Sequence, residues 1–295
     1  MLSLEQLAGI YNAHASLASL SVREFSIGGR EFGFNSRPAI MGVVNLSSDS
    51  WYRESVCLSV ESAVRRGRTL SAQGADIIDL GAESSLLDAA RVDNAAQTGM
   101  LLPVLKELRA NHVLVSIETY HPSVTRACLE AGANVLNLTG RASNDEFYRI
   151  AADNDAAVII CHVQGDNVRE VSDFTFNDDT VAAMREYFSR QLELADKAGL
   201  TRILIDPGMG FYYRNLEDGK TRVRHQIDVF LNTFRLKDLG VPICHALPHA
   251  FETFGEEVRS AEPFFAVLAA LGQTNLFRTH EVARTKAVLD TMNLS

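Results

Sequence analysis

A chain of 295 residues, 46% hydrophobic and 22% charged, is ordinary for a soluble globular protein, and one α/β barrel takes up that length without a second core. The formal net charge of −9 argues against nucleic acid or an anionic membrane as partner, since both need a cationic face, and any phosphate would have to be held by local donors. No basic segment followed by an apolar run opens the chain, and no stretch approaches the roughly 18 apolar residues of a spanning helix, so a cytoplasmic protein is expected.

Residues 1–38 stand outside the repeat that follows, as a helix and hairpin extension. Residues 22–27, Gly28-Gly29 and residues 30–34 read as two strands and their turn, capping the floor of what comes next. From residue 39 onward short apolar runs alternate with amphipathic segments. The runs are 39–45 (AIMGVVN), 76–80 (DIIDL), 113–118 (VLVSIE), 134–139 (NVLNLT), 157–163 (AVIICHV), 202–206 (RILID), 242–247 (PICHAL) and 275–280 (NLFRTH). Each is rich in Val, Ile or Leu without polar alternation, as a parallel strand covered on both faces reads.

The intervening segments have helical period. Val60, Ala63, Val64, Gly67 and Leu70 share one face, as do Val124, Ala127, Cys128 and Ala131. His121-Pro122 places proline where a first helical turn tolerates it. QGAD, EAGAN and KAGLT set a glycine between helix and strand. Eight strand–helix units predict an α/β fold, a (βα)8 TIM barrel over 39–295. The competing doubly wound sheet lacks support, because the first turn, Asn45-Leu-Ser-Ser, has no glycine fingerprint. Long polar loops at 165–179 and 212–221 fall on the side where a barrel builds its site. The cysteines at 57, 128, 161 and 244 show no metal spacing and read as buried thiols.

The polar residues at strand ends carry the functional signal. Asn45, Asp79, Glu83, Glu118, Asn137, His162, Asp206, Arg278 and His280 all lie at or just beyond the C-terminal ends of the runs, which converge on one mouth in a barrel. Asp206, Glu118 and Asn137 can present acceptors and an amide donor to a flat ring with an NH–C(=NH)–N edge, which a carboxylate takes as it takes a guanidinium. A pterin has such an edge. Phe211 and the stem of Arg278 could sandwich the ring.

Six motifs resemble those of the dihydropteroate synthases, in the right order and at barrel spacing. MGVVNLSSDSWY resembles the first-strand motif, GADIIDLGAESS the second, VSIETYHP the third, AGANVLNLTG the fourth, IDPGMGF the sixth and FRTH the eighth. The resemblance implies a homodimeric transferase that joins p-aminobenzoate to the methylene carbon of 6-hydroxymethyl-7,8-dihydropterin pyrophosphate with Mg2+ bound. It implies pterin contacts from Glu118, Asn137 and Asp206, a metal and pyrophosphate contact from Asn45, and pyrophosphate contacts from Arg278 and His280. Asp79 inside the mouth and Asp49 beside Ser50 on the first loop are the catalytic candidates.

Three departures from that family's pattern stand out. Pro248-His249-Ala250 replaces Ser-Arg-Lys after strand seven, so a lysine that donates to the pterin is missing; Ser85-Leu86-Leu87 replaces Thr-Arg-Pro; and Glu118 replaces an aspartate. His249 or Arg214 is the candidate substitute. Two other readings compete: a pterin- or folate-binding homologue without synthase activity, and a metal-dependent hydrolase using His162, His245 and His280, for which no HxH follows strand one. The helix around 262–271 (EPFFAVLAAL) is apolar on more than one face, which fits a dimer interface.

Overall fold

Alternation of fully buried runs with amphipathic helices produces a barrel in the computed structural model, which describes residues 2–50, 52–84, 86, 89–142, 144–171, 173–175, 177–211, 213 and 218–294, the last range without the side chain of 256. Helices α1 (Leu4–Ala13), opened by a Ser3–Gln6 capping box, and α2 (Ala15–Ala18) lead into the hairpin β1 (Phe25–Ile27) and β2 (Arg30–Phe32). The barrel strands are β3 (Ala39–Asn45), β4 (Ile77–Gly81), β5 (Val115–Thr119), β6 (Val135–Leu138), β7 (Ala157–Cys161), β8 (Ile203–Asp206), β9 (Cys244–Ala246) and β10 (Leu276–Thr279). All their pairings are parallel, and the ring closes between β8 and β9 through a single bridge, Ile205 with Ile243. Every one of the eight runs read from the sequence is a barrel strand, most of them a residue or two shorter than the run.

Helices α3 (Val60–Ala72), α4 (Asn94–Ala110), α5 (Pro122–Glu130), α6 (Asn144–Asp153), α7 (Thr180–Lys197), α8 (Gly219–Asn232), α10 (Ala261–Leu271) and α11 (Val282–Met292) form the outer ring, with one short turn, α9 (Phe251–Phe254), before α10. Pro122 occupies the first turn of α5. The core separates into two clusters, as the two-residue period of a strand requires. Ile40, Val44, Ile78 and Leu80 face outward onto Leu70, Leu101, Leu105 and Leu108. Met41, Ile77, Val135, Ile159, Leu204 and Leu276 face inward, and Val22, Ile27, Phe32 and Phe34 of the N-terminal extension join them to fill the barrel floor. One expected helix face needs correction: Val60 is exposed at the first residue of α3, where the helix has not yet met the sheet, whereas Ala63, Gly67 and Leu70 are buried.

Candidate functional site

With the floor plugged, the polar residues collect at the opposite end. The register aligns Glu118 of β5 with both Gly81 of β4 and Asn137 of β6, and Cys161 of β7 with Asp206 of β8. These side chains point into the barrel. A cleft there is lined by Asn45, Glu83, Glu118, Phe211, His249, Arg278 and His280, among others. Beneath it, Arg278 Nε donates to Asp79 Oδ2 at 2.7 Å and a second guanidinium nitrogen donates to Glu118. Asn137 Nδ2 donates to the same Asp79 oxygen at 3.1 Å, and its Oδ1 accepts from the Cys161 thiol at 3.5 Å. Asp79 is wholly buried, and its Oδ1 meets no hydrogen-bond partner among the described residues. It therefore sits below Asn137 and Arg278 and holds both.

Asp206 is 3% exposed and accepts from Gly208 N at 2.7 Å. Gly208 must be glycine: its φ is +79°, and a Cβ there would lie 2.3 Å from the His162 carbonyl oxygen. The Asp-Pro-Gly turn thus folds back onto its own aspartate. Burial raises the Asp206 carboxyl to about 6, opposed by the Gly208 amide and Arg278. Burial also pushes Glu118 up; Arg278 counters it, while Asp79, Asp206 and Glu83 add to it. For Arg278, burial works against the charge, but Glu118 and Asp79 outweigh it and hold the guanidinium above its ordinary value. Three carboxylates and one guanidinium therefore share a poorly hydrated space, an arrangement suited to a ligand rich in N–H donors.

The first loop folds over one side. Asn45 Nδ2 donates to Ser50 and Ser55 at 2.9 and 2.6 Å. Asp49 is not among the cleft residues; its Oδ2 accepts from Ala90 N at 3.0 Å, tying the first loop to the second. Tyr52 is buried, stacks on the His280 ring with centroids 4.5 Å apart, and donates to Glu281, which pairs with Arg259. The second loop is held by Arg169, whose guanidinium donates to the Ser84 and Ala89 carbonyls, and by Glu83, which accepts from Val92 N at 2.9 Å and from Tyr120. Residues Ser85 and Leu87 of the second-loop departure, and Arg214, lie outside the described residues.

One expectation about the mouth, His162, is overturned, and so is the place of His245 in the hydrolase reading. His162 packs edge-on against Tyr187 of α7 and lies under that helix, and burial lowers it to about 4. His245 faces outward to Thr233, 2.7 Å away, and Phe230. One residue past the inward position on a strand turns a side chain to the helix layer, which the polar label alone does not reveal. The three histidines of the hydrolase reading thus have separate surroundings, and no group of three metal-binding side chains occurs among the described residues. Sequence reasoning missed Tyr52, Arg169 and Glu262. For Glu262 a signal existed: it is a lone carboxylate opening an apolar helix, and it is wholly buried.

Residues 41–247 match the family model described as pterin binding enzyme. The chain is 30% identical over 252 residues to dihydropteroate synthase type-2 of Escherichia coli, covering 84% of this chain and 92% of that one. It is 28% identical over 237 residues to the folate synthesis bifunctional protein of Arabidopsis thaliana, covering 77% of this chain and 47% of that one, so it spans about half of that longer relative. Among solved structures, the dihydropteroate synthase of Xanthomonas albilineans in complex with 7,8-dihydropteroate superposes with a TM-score of 0.73 at 26% identity, over 92% of this chain and 97% of that one.

Proposed function

We propose, because this chain belongs to the pterin-binding enzyme family that includes the dihydropteroate synthases, that it is a transferase of that type acting in folate biosynthesis. It joins p-aminobenzoate to the methylene carbon of 6-hydroxymethyl-7,8-dihydropterin pyrophosphate. The observation that carries this reading is that Glu118, Asn137, Asp206 and Arg278, from four strands, gather at one end of the barrel, where Glu118 and Arg278 line the cleft and the buried Asn137 and Asp206 lie outside its lining. Asp206 and Glu118 accept from the ring's amidine-like edge, Asn137 is oriented by Asp79, and Phe211 and Arg278 flank the ring.

The aniline nitrogen forms the new C–N bond as the C–O bond breaks. Pyrophosphate leaves with that electron pair, and the nitrogen loses one proton. A neutral aniline is already nucleophilic, so the protein's task is orientation and stabilisation of the departing charge by Arg278 and His280. Asn45 fits as a single neutral oxygen ligand to Mg2+, because its amide nitrogen is spent on Ser50 and Ser55. The ion, when bound, would draw charge from the diphosphate as it leaves. The same reading carries a cytoplasmic homodimer, supported by the exposed apolar side chains of α10.

A second reading, a pterin-binding homologue that has lost the synthase step or uses a related pterin, is favoured by the strand-seven end. There His249 is buried against Phe251, and burial followed by His280 lowers it to about 3, so it supplies no cation in compensation for the missing lysine, whose place in the motif falls on Ala250. A lost charged hydrogen bond costs about 10- to 150-fold in binding. Calorimetric titration with 6-hydroxymethyl-7,8-dihydropterin pyrophosphate, followed by a coupled assay with p-aminobenzoate, separates the two. Binding with turnover is expected; binding without turnover selects the second reading, and absence of pterin binding removes both.

A further inference from the structure

Glu262 opens helix α10 on the outside of the barrel and does not line the cleft, yet it is wholly buried and its carboxylate is surrounded by donors. One oxygen lies 2.6 Å from His280 Nδ1. The other accepts from His280 N at 2.9 Å, from Glu281 N at 3.1 Å and from the Thr279 hydroxyl. A buried carboxylate accepts only, so the His280 nitrogen facing it must carry the hydrogen. The two backbone amides pin the chain where it leaves β10, and Tyr52 covers one face of the imidazole.

We propose that Glu262 is a positioning residue: it fixes His280 with Nδ1 protonated and turns the Nε2 edge toward the part of the cleft that takes the diphosphate. This rests on the pterin diphosphate reading above. Glu262 touches no substrate; it acts through His280, as a carboxylate behind an imidazole sets which nitrogen is presented and strengthens the ring's hold on an anion. The substituent tested is therefore the diphosphate, not the pterin ring.

The discriminating variant is Glu262→Gln. Its amide oxygen can still accept from the two backbone amides and from Thr279, while its NH2 group now faces His280 Nδ1 and demands an acceptor there. Nitrogen-15 NMR of His280 in the unliganded chain is expected to show hydrogen on Nδ1, and in the variant on Nε2 only. Titration should show the variant losing about 10-fold or more in affinity for 6-hydroxymethyl-7,8-dihydropterin pyrophosphate. Affinity for 6-hydroxymethyl-7,8-dihydropterin, which has no phosphate, should stay within about twofold. Equal losses for the two ligands would mean a merely structural role and overturn the inference, as would a bare Nδ1 on His280 in the parent chain. That NMR measurement needs no variant to fold and no ligand to bind. If the parent chain binds neither pterin, the function reading falls, whatever the tautomer.

Discussion

Asp206 is held where ionisation is unfavourable, and the cost is measurable. Its carboxyl is raised from 3.8 to about 6 by burial. Between those values the folded chain keeps a proton that the unfolded chain releases, so this group's contribution to stability falls as pH rises from about 4 to about 6 and stays lost above that. At about 1.4 kcal/mol per pKa unit the loss is about 3 kcal/mol. Asp206→Asn is therefore expected to melt several degrees above the parent chain at pH 8, with the gap closing near pH 4, while pterin affinity disappears. Thermal melts at the two pH values and a pterin titration check this; retained affinity would refute the ligand role of Asp206. Asp79 differs, since its two hydrogen-bonded neighbours stand between it and the cleft.

At the scale of elements, close approach of strand to helix decides how rigidly the mouth is built. Gly42 of β3 faces the helix layer, and a Cβ there would lie 2.9 Å from Val282, 3.2 Å from Leu70 and 3.3 Å from Ala75. All three neighbours belong to buried or packed parts of the outer layer, so no exposed side chain can swing away. Gly42→Ala should destabilise the fold by about 1–3 kcal/mol through overpacking. A lower urea midpoint with unchanged pterin affinity is the expected result; an unchanged midpoint would show that α11 slides freely on the strand. The loops behave as a second class of element. They are tied to one another by Asp49 and Arg169 and to the barrel by Tyr52, so three side chains hold the lip of the cleft.

For the whole molecule, α10 presents two faces. Phe265 and Leu268 are buried against the barrel, whereas Phe264 is 43% and Leu271 46% exposed on the outside. Phe254 lies beside Phe264, with ring centroids 6.0 Å apart, which widens the apolar surface. Light scattering at micromolar concentration is expected to give a dimeric mass, and Phe264→Glu with Leu271→Glu to reduce it to that of one chain. A monomeric mass for the unaltered protein would remove the dimer from the reading.

The sequence by itself determined the barrel. Eight apolar runs separated by amphipathic helices have few ways to bury both faces of a parallel sheet, and the two-residue period places Asp206, Asn137, Glu118 and Arg278 on inward positions at strand ends. The IDPGMGF motif was equally legible as a resemblance, whereas the backbone demand on its first glycine, φ +79° at Gly208, came from the structure. What only the tertiary structure decided is which of the other polar residues share that mouth. His162 and His245 read like site residues but turn under helices, because one step along a strand reverses a side chain. Glu262 reads like a stray charge in an apolar helix, yet it ends beside His280, brought there by the packing of α10 against the last strand. Pairings between residues distant in sequence depend on how layers meet, and no local period records that.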